Sequence, residues 1–197
     1  ANVHRLLTKE WQMELPKLVI TVHGSEKRLD LTAGQRQLLV SGLIKATRTT
    51  DAWIMSIGLS SEGGIGELVG QALTEHQMYA RGRASAIGVM PWGVVDNRDD
   101  LQNDDLIKTG AVPYQTMADP VSKGAVLNAA HTHFLMVDNG SVGKWKTEIR
   151  FRRTIEKELA GKHKVPMVCL IIEGDRTTLE TVLKKVIEGV PVVVCVG

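Results

Sequence analysis

Glycines fall together with lysine, arginine and carboxylate side chains in one stretch of this chain, His131 to Arg153. It reads as a buried strand, a glycine turn at Asn139-Gly140-Ser141-Val142-Gly143, and a helix that opens straight afterwards. Glycines let a backbone approach a ligand closely. A helix N-terminus offers unpaired N–H groups and a partial positive charge. Together these form a seat for phosphate or carboxylate. Lys144, Lys146, Arg152 and Arg153 add positive charge beside it, and Glu148 is placed to accept ribose hydroxyls or to serve as an ordinary first-turn carboxylate. The chemistry expected is recognition of an anionic, nucleotide-like ligand.

Three further groups of residues bear on that expectation. Gly58 to Gly66 is a glycine- and serine-rich loop between a strand and a helix. There Gly58, Ser60, Ser61, Gly63 and Gly64 suit a phosphate cradle, although the strict dinucleotide pattern is not met and Glu62 opposes an anion. A flexible turn is the other reading of the same residues. Trp92-Gly93 and Asn97-Arg98 follow a strand, where the planar fork of Arg98 suits two phosphate oxygens. His131 and His133 project from one side of a strand, with Asp138 nearby, but no third ligand has metal-site spacing. They read as strand-entry residues, and no metal is expected. No serine elbow, Cys–His arrangement or carboxylate pair stands out, so no catalytic residue is assigned.

The elements that must hold these residues alternate. Strands are expected at Lys17–Val22, Ala52–Ile57, Arg83–Met90, His133–Asp138, Val165–Glu173 and Pro191–Val196. Helices are expected at Leu31–Thr47, Glu67–His76, Lys146–Ala160 and Thr178–Glu188, the last opened by a capping box at Thr177 and Glu180. Val94 to Ala129 lacks either period and reads as a long loop with one helical turn. Uniformly apolar strands alternating with helices imply an α/β fold, a Rossmann-like parallel sheet with helices on both faces. In such sheets ligands lie beyond the carboxyl ends of the strands, where the Gly58 and Asn139 turns fall.

The 197 residues fit a single α/β domain over 1–197, long enough to bury a core without staples. A formal charge of +2 argues against a general nucleic-acid surface. Cys169 and Cys195 sit in apolar runs and read as reduced core thiols. No secretory signal is visible, and the longest apolar runs fall short of the ~18 residues of a membrane span, so no membrane contact by this chain is expected.

Several ordered motifs carry a family resemblance. Leu6-Leu7-Thr8-Lys9-Glu10-Trp11, Glu14 to Gly24, Gly42 to Ala46 with Ala52-Trp53-Ile54, and Ala86 to Val95 resemble the N-terminal cytosolic homology region of melastatin-type TRP cation channels. Tyr114-Gln115-Thr116-Met117, Pro120, Ser122-Lys123, Leu127-Asn128 and His131 to Arg153 extend the match over nearly the whole chain. That region looks like a nucleotide-binding fold related to the LOG phosphoribohydrolases.

The resemblance implies a non-catalytic sensor on the cytosolic side of a membrane, the plasma membrane, in a homotetrameric calcium-conducting channel. This chain would be a fragment of it. Neighbouring subunits would be its partners, and ADP-ribose or a related nucleotide its ligand, bound by the Gly58–Gly66 loop, Arg98, the Asn139–Gly143 turn and Arg152. The first loop departs from the family's Thr-Gly-Gly with Ser56-Ile57-Gly58, and Trp145-Lys146 stands where Tyr-Gly is usual. Two alternatives remain: a LOG-type phosphoribohydrolase, and a ligand-free assembly domain. The hydrolases carry Gly-Gly-x-Gly-Thr-x-x-Glu, whereas here Lys144 follows Gly143 and Glu148 lies one place further on.

Overall fold

Val19 to Val22 is a fully buried apolar and β-branched run, and it forms the centre of the molecule. The computed structural model describes residues 3–79, 84–117 and 121–195. Its elements run α1 (Val3–Arg5), continued by a π-helical turn at Leu6–Glu10, β1 (Val19–Gly24), α2 (Ala33–Thr50), β2 (Trp53–Ser56), β3 (Leu59–Ser60) and α3 (Ile65–Tyr79). Then follow β4 (Ala86–Pro91), α4 (Asp104–Ile107), β5 (Val126–Leu127), β6 (His133–Val137), α5 (Ile149–Lys157), β7 (Met167–Ile172), α6 (Arg176–Ile187) and β8 (Val192–Cys195).

Six strands form one sheet in the order β6-β4-β2-β1-β7-β8, and every pairing in it is parallel. The chain builds outward from β1 through β2, β4 and β6, then returns to the other side of β1 with β7. The strand order therefore reverses between β1 and β7, which opens a crevice at their carboxyl ends. A separate antiparallel pair joins β3 to β5.

Successive strand residues point to opposite faces. Ile20, Val22, Ile54 and Ala86 pack with Val40 and Leu43 of α2 and Leu68 and Val69 of α3. Val19, Met55, Ile87 and Val89 pack instead with Leu7, Ile155 and Leu159 on the other face. Both faces are covered, as the apolar strands imply. Each fully buried aliphatic side chain, such as Leu68 or Ile155, contributes about 1.5–3 kcal/mol.

Four expectations change. The Asn139–Gly143 turn does not open directly into a helix. Trp145 to Glu148 make a further turn, with Lys146 in the left-handed region (φ 70°), and α5 starts at Ile149. The cap of α6 is Asp175, not Thr177: its carboxylate accepts from the N–H groups of Thr177 and Thr178, and the Thr178 hydroxyl returns to the Asp175 N–H. The region 58–66 is not all loop, since β3 lies within it. The region 94–129 holds a 3-10 turn at Arg98–Gln102, α4 and β5. Arg83, Pro120, Val196 and Gly197 lie outside the described residues.

Helix α6 is inverted. Thr181 and Lys185 face inward, while Leu179, Leu183, Val186 and Ile187 are exposed. Lys185 is held there by the buried Glu156 carboxylate of the helix that begins as α5.

Candidate ligand cleft

The crevice between β1 and β7 is a built cleft. Its outer part, about 380 Å³, is lined by Gly24 to Lys27, Trp145, Lys146, Gly174 and Asp175. An inner part of about 30 Å³ continues past Glu148 and Arg152 to His23 and to Thr177, Thr178 and Thr181 of α6. Gly24 is required at the mouth, because a Cβ there would collide with the Ile172 carbonyl of β7.

Glu148 is the unusual group. It is 4% exposed, and its Oε2 has no hydrogen-bond partner. Burial pushes its pKa up to about 7; Arg152 and Lys146 pull it down, and Glu26 pushes it up. Burial also raises the Glu26 carboxyl, against the Lys146 charge. A buried carboxylate oxygen without a donor costs folding free energy. Glu148 lines the inner part of the cleft.

Arg152 forms the floor. Its Nη2 donates to the Thr21 hydroxyl (2.6 Å) and to the carbonyls of Val22 (2.9 Å) and Met55 (2.7 Å), and its Nε donates to Glu156 (3.2 Å). Glu156 also receives Lys185 at 2.5 Å and the Thr21 hydroxyl. Two buried cations thus share one carboxylate, which is why α6 turns a lysine inward. Burial opposes ionisation of Glu156, but the His23 ring and the Arg152 and Lys185 charges overcome it and hold the carboxyl far below its usual range. His23, 3.8 Å from Glu156, is held neutral with its pKa lowered to about 4 by burial and by Arg152.

A second cavity of about 440 Å³ lies at the ends of β4 and β6. Arg98, Val142 and Gly143 line it, with Asp96 and Lys123. The Arg98 guanidinium lies 6.0 Å from the centre of the Trp92 ring. The glycine turn is docked here: Gly143 donates to the Gly93 carbonyl at 2.8 Å, and a Cβ on Gly93 would strike the Ser141 carbonyl. Within the turn, Asp138 and Asn139 accept from the N–H groups of Gly140 and Ser141. Trp145, from the first cleft, donates its indole N–H to the Lys123 carbonyl at 3.3 Å. Residues 139–148 therefore carry linings of both cavities.

The first glycine loop is packed rather than open. Gly58 (φ 69°) lies against the Gly88 backbone, Gly63 donates to Glu67, and Ser61 donates to the Glu26 carbonyl at 2.6 Å. Ser60 accepts from Asn128, and Gly64 is buried against the Glu26 backbone. This loop fixes the segment that follows β1. The two histidines are also engaged. His131 bonds Ser56 at 2.7 Å and Asn128 at 3.3 Å, and His133 contacts Thr132 and stacks near Trp11. No cluster of three metal-ligating side chains occurs among the described residues. Cys169 and Cys195 are free thiols, and burial pushes Cys169 up to about 11.

The buried imidazoles make an acid sensitivity. Burial holds His23 and His131 near a pKa of about 4, below the ordinary 6.5. A depressed histidine contributes stability that is full above 6.5 and lost as pH falls toward 4. Glu148 and Glu26, both raised by burial, act in the opposite sense over part of that range, against His23, His131 and the likewise lowered His133. Urea midpoints are expected to fall steeply between pH 6.5 and 4.5, and a flat profile there would refute neutral burial of both rings.

Of the residues expected from sequence, the structure brings Glu148 and Arg152 to one cleft and Arg98, Val142 and Gly143 to the other, with Trp92 beneath Arg98. Gly58, Ser60, Ser61, Gly63 and Gly64 line neither cavity. Sequence reasoning missed Gly24 to Lys27, Gly174, Asp175 and the α6 threonines. The glycine that ends β1 and the Gly174-Asp175 pair after β7 were the available signals.

No helix among the described residues is long and apolar enough to cross a membrane. The model for the family described as SLOG in TRPM matches residues 1–197. The chain is 46% identical over 202 residues to transient receptor potential cation channel subfamily M member 7 of Rattus norvegicus, covering 98% of this chain and 10% of that protein. It is 42% identical over 201 residues to subfamily M member 1 of Rattus norvegicus (98% and 12%) and 38% identical over 199 residues to subfamily M member 6 of Homo sapiens (98% and 10%). The chain spans about a tenth of the length of these relatives.

Proposed function

The chain belongs to the SLOG family of melastatin TRP channels, and from that premise we propose that it is a cytosolic, non-catalytic sensor that binds ADP-ribose or a related nucleotide and couples it to channel gating. The observation that carries this reading is the Glu148 Oε2 atom, buried without a hydrogen-bond partner at the strand-order reversal, with Lys146 lining the same cleft. A carboxylate oxygen for hydroxyls beside the Lys146 ammonium for phosphate suits a sugar phosphate. The second cavity, with Arg98 under the Val142–Gly143 turn, gives an elongated ligand somewhere to place its other end. The Gly58–Gly64 loop contributes by holding the β1 loop, and Asn139, Gly140 and Ser141 by shaping the turn.

Gating requires a ligand that binds two channel states unequally. Neighbouring subunits of a homotetramer are the proposed partners, and the exposed apolar stripe of α6 supports a protein contact in the assembled channel. A site at the cytosolic face of the plasma membrane follows from the same proposal. Titrating ADP-ribose into this chain by calorimetry, with AMP and ribose 5-phosphate as controls, tests the sensor. Saturable binding that Arg98→Ala weakens by about 1–3 kcal/mol is expected. Absence of binding by all three would favour the assembly-domain alternative, and release of a free base from a nucleoside monophosphate would favour the hydrolase.

A further inference from the structure

Resting on that reading, we propose that the Asp175 carboxylate is a tethered stand-in for a ligand phosphate, occupying an anion seat that a phosphorylated polyol takes over when it binds. The seat is formed by the first turn of the 12-residue α6 and by Lys146. Asp175 Oδ1 accepts from the N–H groups of Thr177 (2.9 Å) and Thr178 (3.2 Å), while Oδ2 pairs with Lys146 Nζ. Lys146 reaches across from the far wall of the cleft on a left-handed backbone (φ 70°), and its ammonium also lies 3.9 Å from Glu26. The Lys146–Asp175 pair thus closes the cleft mouth.

Two features distinguish this arrangement from a plain helix cap. Lys146, Thr177 and Thr178 line the same cavity as Glu148, whose free carboxylate oxygen requires a donor that no neighbouring residue supplies. The seat and the carboxylate together fit a phosphate on a hydroxyl-bearing carbon skeleton. The Asp175 side chain is also 57% exposed, and exposed ion pairs are weak enough for an incoming dianion to displace. Displacement leaves the α6 N–H groups satisfied throughout, because one oxyanion replaces another.

Asp175→Ser is the informative change, since serine keeps an N-cap oxygen and removes the competing charge. Calorimetry would compare pyrophosphate and ADP-ribose on the wild-type chain, Asp175→Ser, Lys146→Met and Glu180→Gln. The last removes one exposed charge from the same helix. Asp175→Ser is expected to bind pyrophosphate about fivefold more tightly, Lys146→Met more weakly, and Glu180→Gln as the wild type does. Unchanged or weaker pyrophosphate binding by Asp175→Ser, or an equal gain in Glu180→Gln, would overturn the proposal. If pyrophosphate shows the expected pattern while ADP-ribose binds no form, the seat stands and the nucleotide reading fails. If ADP-ribose binds the wild type while pyrophosphate binds Asp175→Ser no more tightly, the nucleotide reading stands and the seat fails.

Discussion

Glu156→Gln is expected to destabilise the fold by about 3–5 kcal/mol, the cost of leaving buried charge without its partner. Arg152 and Lys185 are 4% and 2% exposed, and both rely on this one carboxylate. A glutamine would keep the shape but remove the charge, leaving two buried cations near each other. With folding free energies of about 5–15 kcal/mol typical of domains, that is a third or more of the total. Lys185→Met is expected to cost less, because it leaves a balanced Arg152–Glu156 pair and places an apolar chain near Met167, whose sulfur lies 3.7 Å from the Lys185 ammonium. Urea denaturation of the two variants at pH 7 checks the order. Glu156→Gln within 1 kcal/mol of wild type would show that the cluster is hydrated rather than dry.

Glu148→Gln is expected to do the opposite and stabilise the fold. The Glu148 carboxyl is raised from 4.5 to about 7 by burial. A group raised in the folded state contributes most below its unfolded value, and that contribution is lost as pH rises through the folded value. Above pH 7 the wild type therefore carries a buried carboxylate at a cost of about 1–3 kcal/mol, in which the opposing pulls of Arg152 and Lys146 are already included. The variant should match wild type near pH 4.5 and gain its full advantage by pH 8. Paired urea titrations at those two pH values read the difference directly. An advantage that is equal at both would mean that Glu148 does not titrate in this window.

These two carboxylates lie two helical turns apart, at positions 148 and 156, yet one stabilises the fold and the other burdens it. That contrast was not legible in the sequence. The six apolar strands, their alternation with helices and the turn after β6 all were, because burial on both faces leaves continuous β-branched runs and tight turns leave glycine. Strand order was not, since nothing local states that β7 returns beside β1 rather than extending the far edge beyond β6. The cleft at Gly24 and Asp175 follows from that reversal. Arg152 was expected at the ligand, and its engagement with Thr21, Val22 and Met55 was not legible because those partners are distant in sequence. The first glycine loop read as a cradle because glycine serves close backbone packing, as at Gly58 against Gly88, as well as it serves ligand approach. The inward face of helix α6 was not legible either, because Lys185 is buried against Glu156, a partner distant in sequence.

Glu148 Oε2, buried without a hydrogen-bond partner, is proposed to be the atom that holds the ligand. Calorimetric titration of ADP-ribose into the wild-type chain and Glu148→Gln at pH 7.5 tests it most directly. Saturable binding to the wild type is expected, with at least about tenfold weaker binding to Glu148→Gln, the scale of losing one charge-assisted hydrogen bond, in a variant that is the more stable protein. Equal affinity in the two proteins would contradict it and leave the Glu148 carboxylate without a ligand to explain it.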